Sequence, residues 1–570
     1  MAGSEVVLLG PFVGGLNNYL DPSSIRDEEL VTLVNYEVTE DGTLVNRPVI
    51  TVNQWGFDYG TGGNGSHPTQ TNGKAVIPIA VGRYMNDGAA ILYKYFGGAI
   101  YWERLNNAAN SLGIGLNKIT GSEQKGDSNI GHRAVQYNND MYFTNARQSE
   151  LVGKTAIGTR TFTRIPTMPL GQTILSHKSR LFIFPGPQTN TAENLNNSKF
   201  FYTDAPYTGG AWDQSKNFVN VGYGDGQYIS TALVYNGDIL IFKENSTWRF
   251  SYEANIGQGS LEVINPSVGS YGAYSATVCN GVVYTYYAGS VYEIFNYQWS
   301  NISQKIDFDR APLEDGESFV DGVNLHSLGH RVILNHWGKT YVYSQRSKTW
   351  SEWESETMLG QGVTVPTSVL DDTDRNKELA LFSYYKHTNK PARIDNNWKI
   401  TRLFRVFDTY DPITDVDQDG RPANQQNSEN FECRIRTKSF DLGSDAAFKR
   451  LMWWGASVLT RTDVQGQAVV IVNNAAFTYD QLDGTTYDTL DQSTWDNLLD
   501  ILPTVTTEVD ATSTVSHGRR FIKFLKGLRF RQVYFTYKAV VDGTSDTLPN
   551  KLLSLTAVFR GKTKMTKEIS

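Results

Sequence analysis

Three carboxylates at alternate positions precede a glycine in the segment Asp415-Val-Asp417-Gln-Asp419-Gly420. Carboxylates with this spacing converge on a hard cation in calcium-binding loops, and the glycine permits the sharp turn between them. The twelfth position of such a loop would be Gln426 instead of the bidentate glutamate, and no helical pattern flanks the segment. Asp415, Asp417 and Asp419 are therefore a candidate Ca²⁺ loop of degenerate type. The alternative is an acidic, solvated linker in a protein without a cofactor.

The sequence contains no clear catalytic motif. Residues 344–350 resemble the Asp-box of sialidases weakly, but they lack the Asp and Gly that define it. A glycosidase requires a positioned pair of carboxylates, and the acidic residues here are scattered among turns. The 8 histidines form no HExxH motif, and no phosphate-binding loop is present. We therefore expect a protein that is not an enzyme.

Basic residues interleave with aromatic ones near the C-terminus. The basic members of this stripe are Arg519, Arg520, Lys523, Lys526, Arg529 and Arg531. Such a stripe can contact the phosphates of passing DNA while the aromatic rings stack on bases. A strand with one solvated cationic face produces the same pattern, and the acidic stretch before it is a counterpart within the chain. The formal net charge of −7 argues against a general nucleic-acid binder, which is usually strongly basic.

The composition indicates a large, β-rich protein of two or three domains. Aromatic residues make up 12% of the 570 residues and charged residues 19%, with 31 Tyr and 51 Gly. This mixture favours strands and tight turns over helices. The two cysteines, Cys279 and Cys433, are too few for a disulfide framework. The sequence shows neither a secretory signal nor an apolar segment long enough to span a membrane.

Residues 74–407 repeat one pattern, in which short apolar strands are separated by polar turns. The period is about 40–50 residues, as in the blades of β-propellers. Asn236-Gly237 and Asn280-Gly281 are the type I′ turns that such hairpins prefer. We therefore predict a β-propeller of six or seven blades; the alternative is a series of stacked β-sandwich modules.

Two further regions flank the propeller. Residues 1–73 are predicted to form an N-terminal clasp, with a short helix capped by Ser24 and a hairpin that ends at Arg47-Pro48. Residues 408–430 read as an acidic linker, and residues 431–570 as an antiparallel, sandwich-like β domain. This last domain carries an acidic insert with an eight-residue repeat, whose aspartates are Asp480, Asp488 and Asp496.

The opening stretch GGLNNYLDPSSIRDEELVTLVNYEVTEDGTLVNRP resembles the N-terminal signature of structural tail proteins of tailed bacteriophages. The segments TALVYNGDILIFKENSTWRF and TYVYSQRSKTWSEWE are similar to propeller blades of that group. The segment TKSFDLGSDAAFKRLMWWGASV is similar to the β domain that follows the propeller there. The resemblance covers most of the chain, although its motifs are loose and largely structural.

The resemblance implies a virion protein of the tail nozzle, hub or tip (minor tail protein), made in the cytoplasm of the bacterial host. It implies a homo-oligomeric, six-fold ring around the DNA exit path, which joins other tail proteins and serves tail assembly and genome ejection. Candidate interface residues are Asp27, Glu28, Glu29, Arg47, the three insert aspartates and the six residues of the basic stripe. Deletion of residues 1–48 is expected to impair assembly and to leave the propeller folded.

Two other functions stay open at this point. One is a module that binds a host receptor or glycan, for which the aromatic-rich propeller face would be the site. The other is a propeller glycosidase or depolymerase, because propellers also support that chemistry.

Overall fold

The computed structural model describes residues 4–48, 50–52, 77–84, 90–96, 99–104, 117–122, 132–145, 152–186, 197–253, 255–309, 317–318, 322–354, 362–366, 378–383, 387–388, 403–407, 431–440, 449–459, 464–471, 509–511, 519–530, 532–541 and 551–561. These residues form β-strands and turns almost throughout. A short 3₁₀ helix, Ile256–Gln258, is the exception among them. The candidate Ca²⁺ loop and the acidic insert lie outside the described residues.

The strands are numbered in chain order. Those of the N-terminal segment are β1 Ser4–Leu9, β2 Gly15–Leu16, β3 Glu29–Val34, β4 Tyr36–Val38, β5 Leu44–Asn46 and β6 Ile50–Val52. The first antiparallel sheet contains β7 Ile77–Arg83, β8 Ala90–Phe96, β9 Ala99–Arg104 and β10 Asn117–Lys118. The second contains β11 His132–Tyr137, β12 Asp140–Asn145, β13 Gly153–Ala156 and β14 Thr163–Arg164. The third contains β15 Thr173–His177, β16 Arg180–Phe184, β17 Lys199–Tyr202 and β18 Phe218–Asn220.

The same pattern continues along the chain. The fourth and fifth sheets contain β19 Ile229–Tyr235, β20 Asp238–Lys243, β21 Thr247–Ser251 and β22 Ser260–Asn265; and β23 Ala276–Cys279, β24 Val282–Tyr287, β25 Ser290–Phe295 and β26 Gln298–Asn301. The sixth unit contains β28 Val323–Leu328, β29 Arg331–His336, β30 Lys339–Ser344 and β31 Thr349–Trp353. The seventh contains β32 Gly362–Pro366, β33 Glu378–Ser383 and β35 Leu403–Phe407, and its outer strand is β6. A separate pair is formed by β27 Glu317–Ser318 and β34 His387–Thr388.

The first strand of each unit lies beside the first strand of the next, and β32 lies beside β7. This arrangement is that of a β-propeller, so the prediction that the repeated region forms a β-propeller is confirmed. Apolar clusters fill the spaces between neighbouring sheets. Trp102 and Met141 share the cluster between the first two sheets, and Phe184 and Phe250 share one between the third and fourth.

The predicted hairpin turns are also present. Asn236 and Gly237 have φ of 50° and 80°, and Asn280 and Gly281 have φ of 45° and 75°. Positive φ at both central positions is the requirement of a type I′ turn, which only Asn, Asp and Gly adopt readily. The period-2 pattern and the turn residues therefore determine the local hairpins.

The C-terminal strands form two sheets with the N-terminal segment. They are β36 Phe431–Thr437, β37 Lys449–Leu459, β38 Val464–Ile471, β39 Val509–Ala511, β40 Arg519–Phe530, β41 Gln532–Val541 and β42 Lys551–Gly561. One sheet has the order β4-β5-β42-β37-β40, with β1 paired to β42. The other continues from the sixth propeller sheet in the order β28-β29-β30-β31-β3-β36-β41-β38-β39. Strand β3 thus joins the propeller to the C-terminal strands.

The helix predicted after Ser24 is wrong. The Ser23 N–H and hydroxyl both donate to the Asp21 carboxylate, at 2.8 and 2.5 Å, and close a turn. Strand β3 then begins at Glu29, because its β-branched side chains, Val31, Thr32 and Val34, favour a strand over a helix. The hairpin predicted after it is confirmed, since β4 pairs with β5 in antiparallel register.

Candidate functional site

The centre of the propeller is filled by the connection between β22 and β23. The Ala273 carbonyl accepts hydrogen bonds from Arg133 Nη2 at 2.6 Å and from Thr231 Oγ1 at 3.1 Å. The Tyr274 carbonyl accepts one from the Leu325 N–H at 2.7 Å, and the Arg133 guanidinium lies 3.5 Å from the centroid of the Tyr274 ring. These partners come from the second, fourth and sixth sheets, so the loop crosses the axis of the ring.

Two other polar groups are buried near this axis. Burial and the neighbouring Arg133 lower the pKa of His326 to about 3, so this imidazole is neutral at pH 7. Within the described residues, the hydroxyl of Ser230 is buried without a hydrogen-bond partner. The axis is therefore a closed, partly polar interior in the described part of the chain.

One face of the propeller carries exposed aromatic side chains. We define the connecting face as the face that bears the turns between the second and third strands and the connections between sheets; alternation of antiparallel strands puts both on one side. Tyr223 and Tyr271, in two of the connections, are 69% and 49% exposed. The Tyr271 ring lies 6.4 Å from that of Trp337, in a turn of the sixth sheet. The Tyr287 hydroxyl donates to Asn245 at 3.0 Å.

An ion pair between a buried lysine and a more exposed aspartate holds the loop that presents Tyr223. Lys243 is fully buried, and its ammonium donates to both oxygens of the Asp225 carboxylate at 2.6 Å and to the Val221 carbonyl at 2.8 Å. Burial lowers the pKa of Lys243, and the Asp225 carboxylate opposes that effect. Gly222 and Gly224 flank Tyr223 with φ of 60° and 88°, a region that other residues adopt at a cost in energy.

The connecting face also contains a pocket of about 380 Å³ between the fifth and sixth sheets. Its lining consists of Tyr19, Tyr286, Gly289, Ser290, Ser303, Gln304, Ile306, Asp307, Phe308 and His336. His336 Nδ1 lies 3.0 Å from the Asp309 carbonyl, and Nε2 lies 3.0 Å from the Tyr286 hydroxyl. Since the carbonyl can only accept, Nδ1 carries the proton and Nε2 accepts from the tyrosine. The floor of the pocket is therefore held by two hydrogen bonds.

The N-terminal segment reaches the rim of this pocket. The Asn18 side chain donates to the Asp307 carbonyl at 2.9 Å and accepts from the Asp307 N–H at 2.8 Å. The Tyr19 N–H donates to the Lys305 carbonyl at 3.3 Å, and the Tyr19 side chain is 65% exposed. The Asn18 side chain thus pairs with both backbone groups of Asp307, as the backbone of a neighbouring strand would. This pairing places Tyr19 beside the opening of the pocket.

The acidic residues predicted for an interface divide into two groups. Glu29 is buried and accepts from Asn17 at 2.8 Å and from the Lys305 ammonium at 2.5 Å. Burial by itself would raise the pKa of the Glu29 carboxyl, but these donors hold the pKa below its ordinary value. The exposed Asp27 forms an ion pair of 2.6 Å with Lys438, and the half-buried Glu28 lies 3.8 Å from Arg26.

Arg47 lies at a junction within the chain. It is fully buried, and its guanidinium donates to the Asn35 side chain at 2.7 Å and to the Glu354 carbonyl at 2.9 Å. It also lies 3.8 Å from the centroid of the Phe431 ring, a cation–π contact. Its contacts therefore link the N-terminal hairpin, the end of the sixth sheet and the first C-terminal strand.

The remaining predicted residues lie in the C-terminal region. Arg519, Arg520, Lys523, Lys526 and Arg529 belong to strand β40, which pairs with β37 at the end of its sheet. Arg531 lies outside the described residues, as do Asp480, Asp488, Asp496 and the candidate Ca²⁺ ligands Asp415, Asp417 and Asp419.

The described residues contain neither a group of metal-ligating side chains nor a membrane-spanning helix. No three His, Cys, Asp or Glu side chains in this part of the chain are grouped as metal ligands. Nor do these residues include a helix of the length and apolarity that a membrane crossing requires.

The sequence interpretation missed the pocket. Its floor and walls come from the fifth and sixth sheets, and its rim comes from a segment nearly 300 residues earlier, as the 289-residue separation of Asn18 and Asp307 shows. The signal available was the Asn-Asn-Tyr run within GGLNNYLDP, where two amide side chains precede an aromatic residue.

Comparison with known proteins gives only distant similarities. No protein-family model matches the chain, and no curated protein matches its sequence. PorZ, a surface component of the type-IX secretion system of Porphyromonas gingivalis, is 10% identical with a TM-score of 0.30, over 54% of this chain and 36% of PorZ. AztD from Citrobacter koseri is 7% identical with a TM-score of 0.33, over 57% of this chain and 88% of that one. The WD40 domain of Neurospora crassa Pan2 is 8% identical with a TM-score of 0.29, over 58% and 89%. The assignment as a propeller therefore rests on strand order and contacts between sheets.

Proposed function

We propose that this protein is a non-enzymatic structural component of a bacteriophage tail, either in the nozzle or hub or at the tip as a minor tail protein. The resemblance of residues 14–48 to such proteins motivates the proposal. In support of it, this stretch is part of the body of the molecule: Glu29 and Arg47 are buried, and β3 lies between two other strands. Genome delivery and tail assembly are the activities that follow.

We further propose that the propeller has seven blades. The support is the closed sequence of neighbours, in which the first strands β7, β11, β15, β19, β23, β28 and β32 lie side by side and β32 returns to β7. Strand β6 completes the seventh unit from the N-terminal side. Closure by a strand from the opposite end of the repeat ties the first and last blades together and removes a sheet edge.

The observation that carries the structural role is the sheet shared by the propeller and the C-terminal strands. Strand β3 pairs with β31 on one side and with β36 on the other. A hinge between the two parts would have to break either the ladder of β3 with β36 or the pairing of Val34 with Glu352, where the Asn35 N–H donates to the Glu352 carbonyl at 2.8 Å. A stiff block with loops on both faces suits repetition around an axis, because one heterologous interface then closes a ring.

In this proposal, DNA passes through the lumen of a ring of copies and not through one propeller. The loop at Ala273 and Tyr274 crosses the propeller axis and is held from three sheets. The net charge of −7 favours a lumen that does not retain DNA, because phosphate contacts to cations would slow its passage.

Negative-stain imaging of the purified full chain tests this role. We expect rings of uniform copy number, six in this proposal, in which each subunit shows a filled propeller and a shared central lumen. The control is the same sample diluted in steps, since ring closure depends on concentration. Particles that stay monomeric at the highest soluble concentration would overturn the proposal.

A second candidate function is a module that binds the host surface, and the exposed tyrosines of the connecting face favour it. Tyr223 and Tyr271 offer amphipathic rings on ordered loops, which is typical of recognition surfaces. The test is whether the purified protein binds host cells and blocks phage adsorption. The variant Tyr223→Ala with Tyr271→Ala should lose at least tenfold in binding. Phe295→Ala is the matched control, because Phe295 is 54% exposed at the end of β25, beside the turn on the opposite face.

A further inference from the structure

We propose that the pocket between the fifth and sixth sheets binds a neutral saccharide, as one or two sugar rings. The inference deepens the second candidate function and is independent of ring assembly. At about 380 Å³ the pocket falls at the lower end of the range for small-molecule sites, about 300–1,000 Å³. It opens on the connecting face, where the Tyr271 ring lies 6.1 Å from that of the lining residue Tyr286 and 6.4 Å from that of Trp337.

Aromatic rings supply the apolar side of the site. Tyr19 stands at the rim with 65% of its surface exposed, and Phe308 and Tyr286 lie deeper. A pyranose ring presents one face of C–H groups, which packs against an aromatic ring with little loss of side-chain freedom. Tyr19 is the ring that a bound ligand would cover most.

Polar groups at the rim are available for hydroxyls. Within the described residues the Asp307 side chain has no hydrogen-bond or ion-pair partner, although both backbone groups of Asp307 are engaged by Asn18. Gln304, which is exposed, and Ser290 also line the pocket. A carboxylate accepts from two hydroxyls, whereas the amide both donates and accepts, and a polyhydroxyl ligand offers the same mixture.

The charges near the pocket disfavour an anionic ligand. Asp307 would repel it, and among the described residues the two lysines close to the pocket, Lys305 and Lys339, are both engaged in ion pairs. The Lys305 ammonium is bound to Glu29 at 2.5 Å, and Lys339 lies 3.2 Å from Asp309 and 3.6 Å from Glu352. A phosphate or sulfate group would therefore lose its hydration without gaining a free cation from the described residues. This argument selects a neutral ligand.

The pocket is fixed before a ligand arrives. The floor residue His336 is held from both ring nitrogens, and the Ser303 hydroxyl accepts from the Val291 N–H at 2.8 Å. The Asn18 side chain fixes the loop that carries Asp307. Such prior ordering lowers the entropy lost on binding, which allows a small site to bind a small ligand.

The test is a titration of the full chain with defined sugars, read by saturation-transfer NMR and calorimetry. The probes are glucose, galactose, N-acetylglucosamine, lactose and chitobiose, together with choline and inorganic phosphate. We expect saturable binding of at least one sugar. Tyr19→Ala and Asp307→Asn should each weaken it at least tenfold, while Phe295→Ala should stay within twofold of wild type.

Three outcomes would overturn the inference: no sugar binds, choline or phosphate binds and the sugars do not, or the two pocket variants bind sugar like wild type. Circular dichroism would show that Tyr19→Ala and Asp307→Asn remain folded, as exposed side chains should. Imaging of the same variants separates the two proposals, because ring formation should not depend on the pocket.

Discussion

Arg331 Nε donates to the Glu37 carboxylate at 2.7 Å, and both residues are buried. The pair joins the N-terminal hairpin to the sixth propeller sheet across 294 residues of sequence. A buried ion pair adds little stability relative to apolar side chains of the same size, but it strongly disfavours arrangements that separate its partners. The pair therefore specifies where the N-terminal hairpin docks.

Removal of the Glu37 charge should destabilise this junction. In Glu37→Gln the buried Arg331 guanidinium loses the carboxylate charge of Glu37, and we expect a loss of about 3–5 kcal/mol in the free energy of unfolding. Urea unfolding monitored by tryptophan fluorescence measures it. Glu28→Gln is the control, because Glu28 pairs with Arg26 at the surface, and its change should stay within about 0.5 kcal/mol. Equal midpoints for the two variants would contradict the assignment.

Truncation of the buried Leu33 in β3 should loosen the joint between the propeller and the C-terminal strands. Leu33→Ala leaves a cavity in the core shared by both parts, with an expected loss of about 2–5 kcal/mol. Hydrogen exchange of β36, which pairs with β3, should accelerate more than that of β20 in the fourth sheet. The neighbouring Thr32→Ala, half-buried, is the matched control. Uniform acceleration in both sheets would argue against a local joint.

Deletion of residues 1–48 should separate the two parts while the propeller stays closed. The deletion removes β3, which lies between β31 and β36, but it keeps β6 as the outer strand of the seventh unit. We expect limited proteolysis to cleave residues 431–561 first and to leave a resistant fragment that spans the propeller sheets. Equal resistance of both parts in the truncated protein would show that β3 is dispensable.

Stability should fall with acid because of His326. Its pKa is depressed to about 3, so below the ordinary value of 6.5 the unfolded chain takes up a proton that the folded chain excludes. The contribution is complete above pH 6.5 and declines as the pH falls towards 3, by about 1.4 kcal/mol per pH unit. About 2 kcal/mol is thus lost between pH 7 and pH 5.

The measurement is the thermal midpoint of wild type and His326→Gln at pH 7 and pH 5. The variant should be less sensitive to pH, because it lacks the titrating imidazole next to Arg133. His177→Gln is a suitable comparison, since His177 is part-exposed and its imidazole lies 3.0 Å from the Gly237 carbonyl. An equal drop in wild type and His326→Gln would remove His326 as the cause.

The sequence predicted some residues of the candidate site but not the residues that they contact. Glu29 and Arg47 were predicted as interface residues, and in the structure they contact Lys305 and Glu354 of the same chain, which are hundreds of residues away and carry no local signal. The charges of Asp27, Glu28 and Glu29 suggested a helix start, because acidic residues favour that position. The pairing of β3 with β36 outweighed this local preference.

The sequence alone determined the hairpins and the repeat. Period-2 alternation and Asn-Gly turns are local properties, since they depend on backbone sterics within a few residues. Only the tertiary structure decided that β3 lies between β31 and β36, that Ala273 and Tyr274 fill the propeller axis, and that Tyr19 stands over a pocket formed by the fifth and sixth sheets. These features depend on contacts between distant segments, where the burial of apolar surface and the pairing of buried charges select one arrangement among many with the same local pattern.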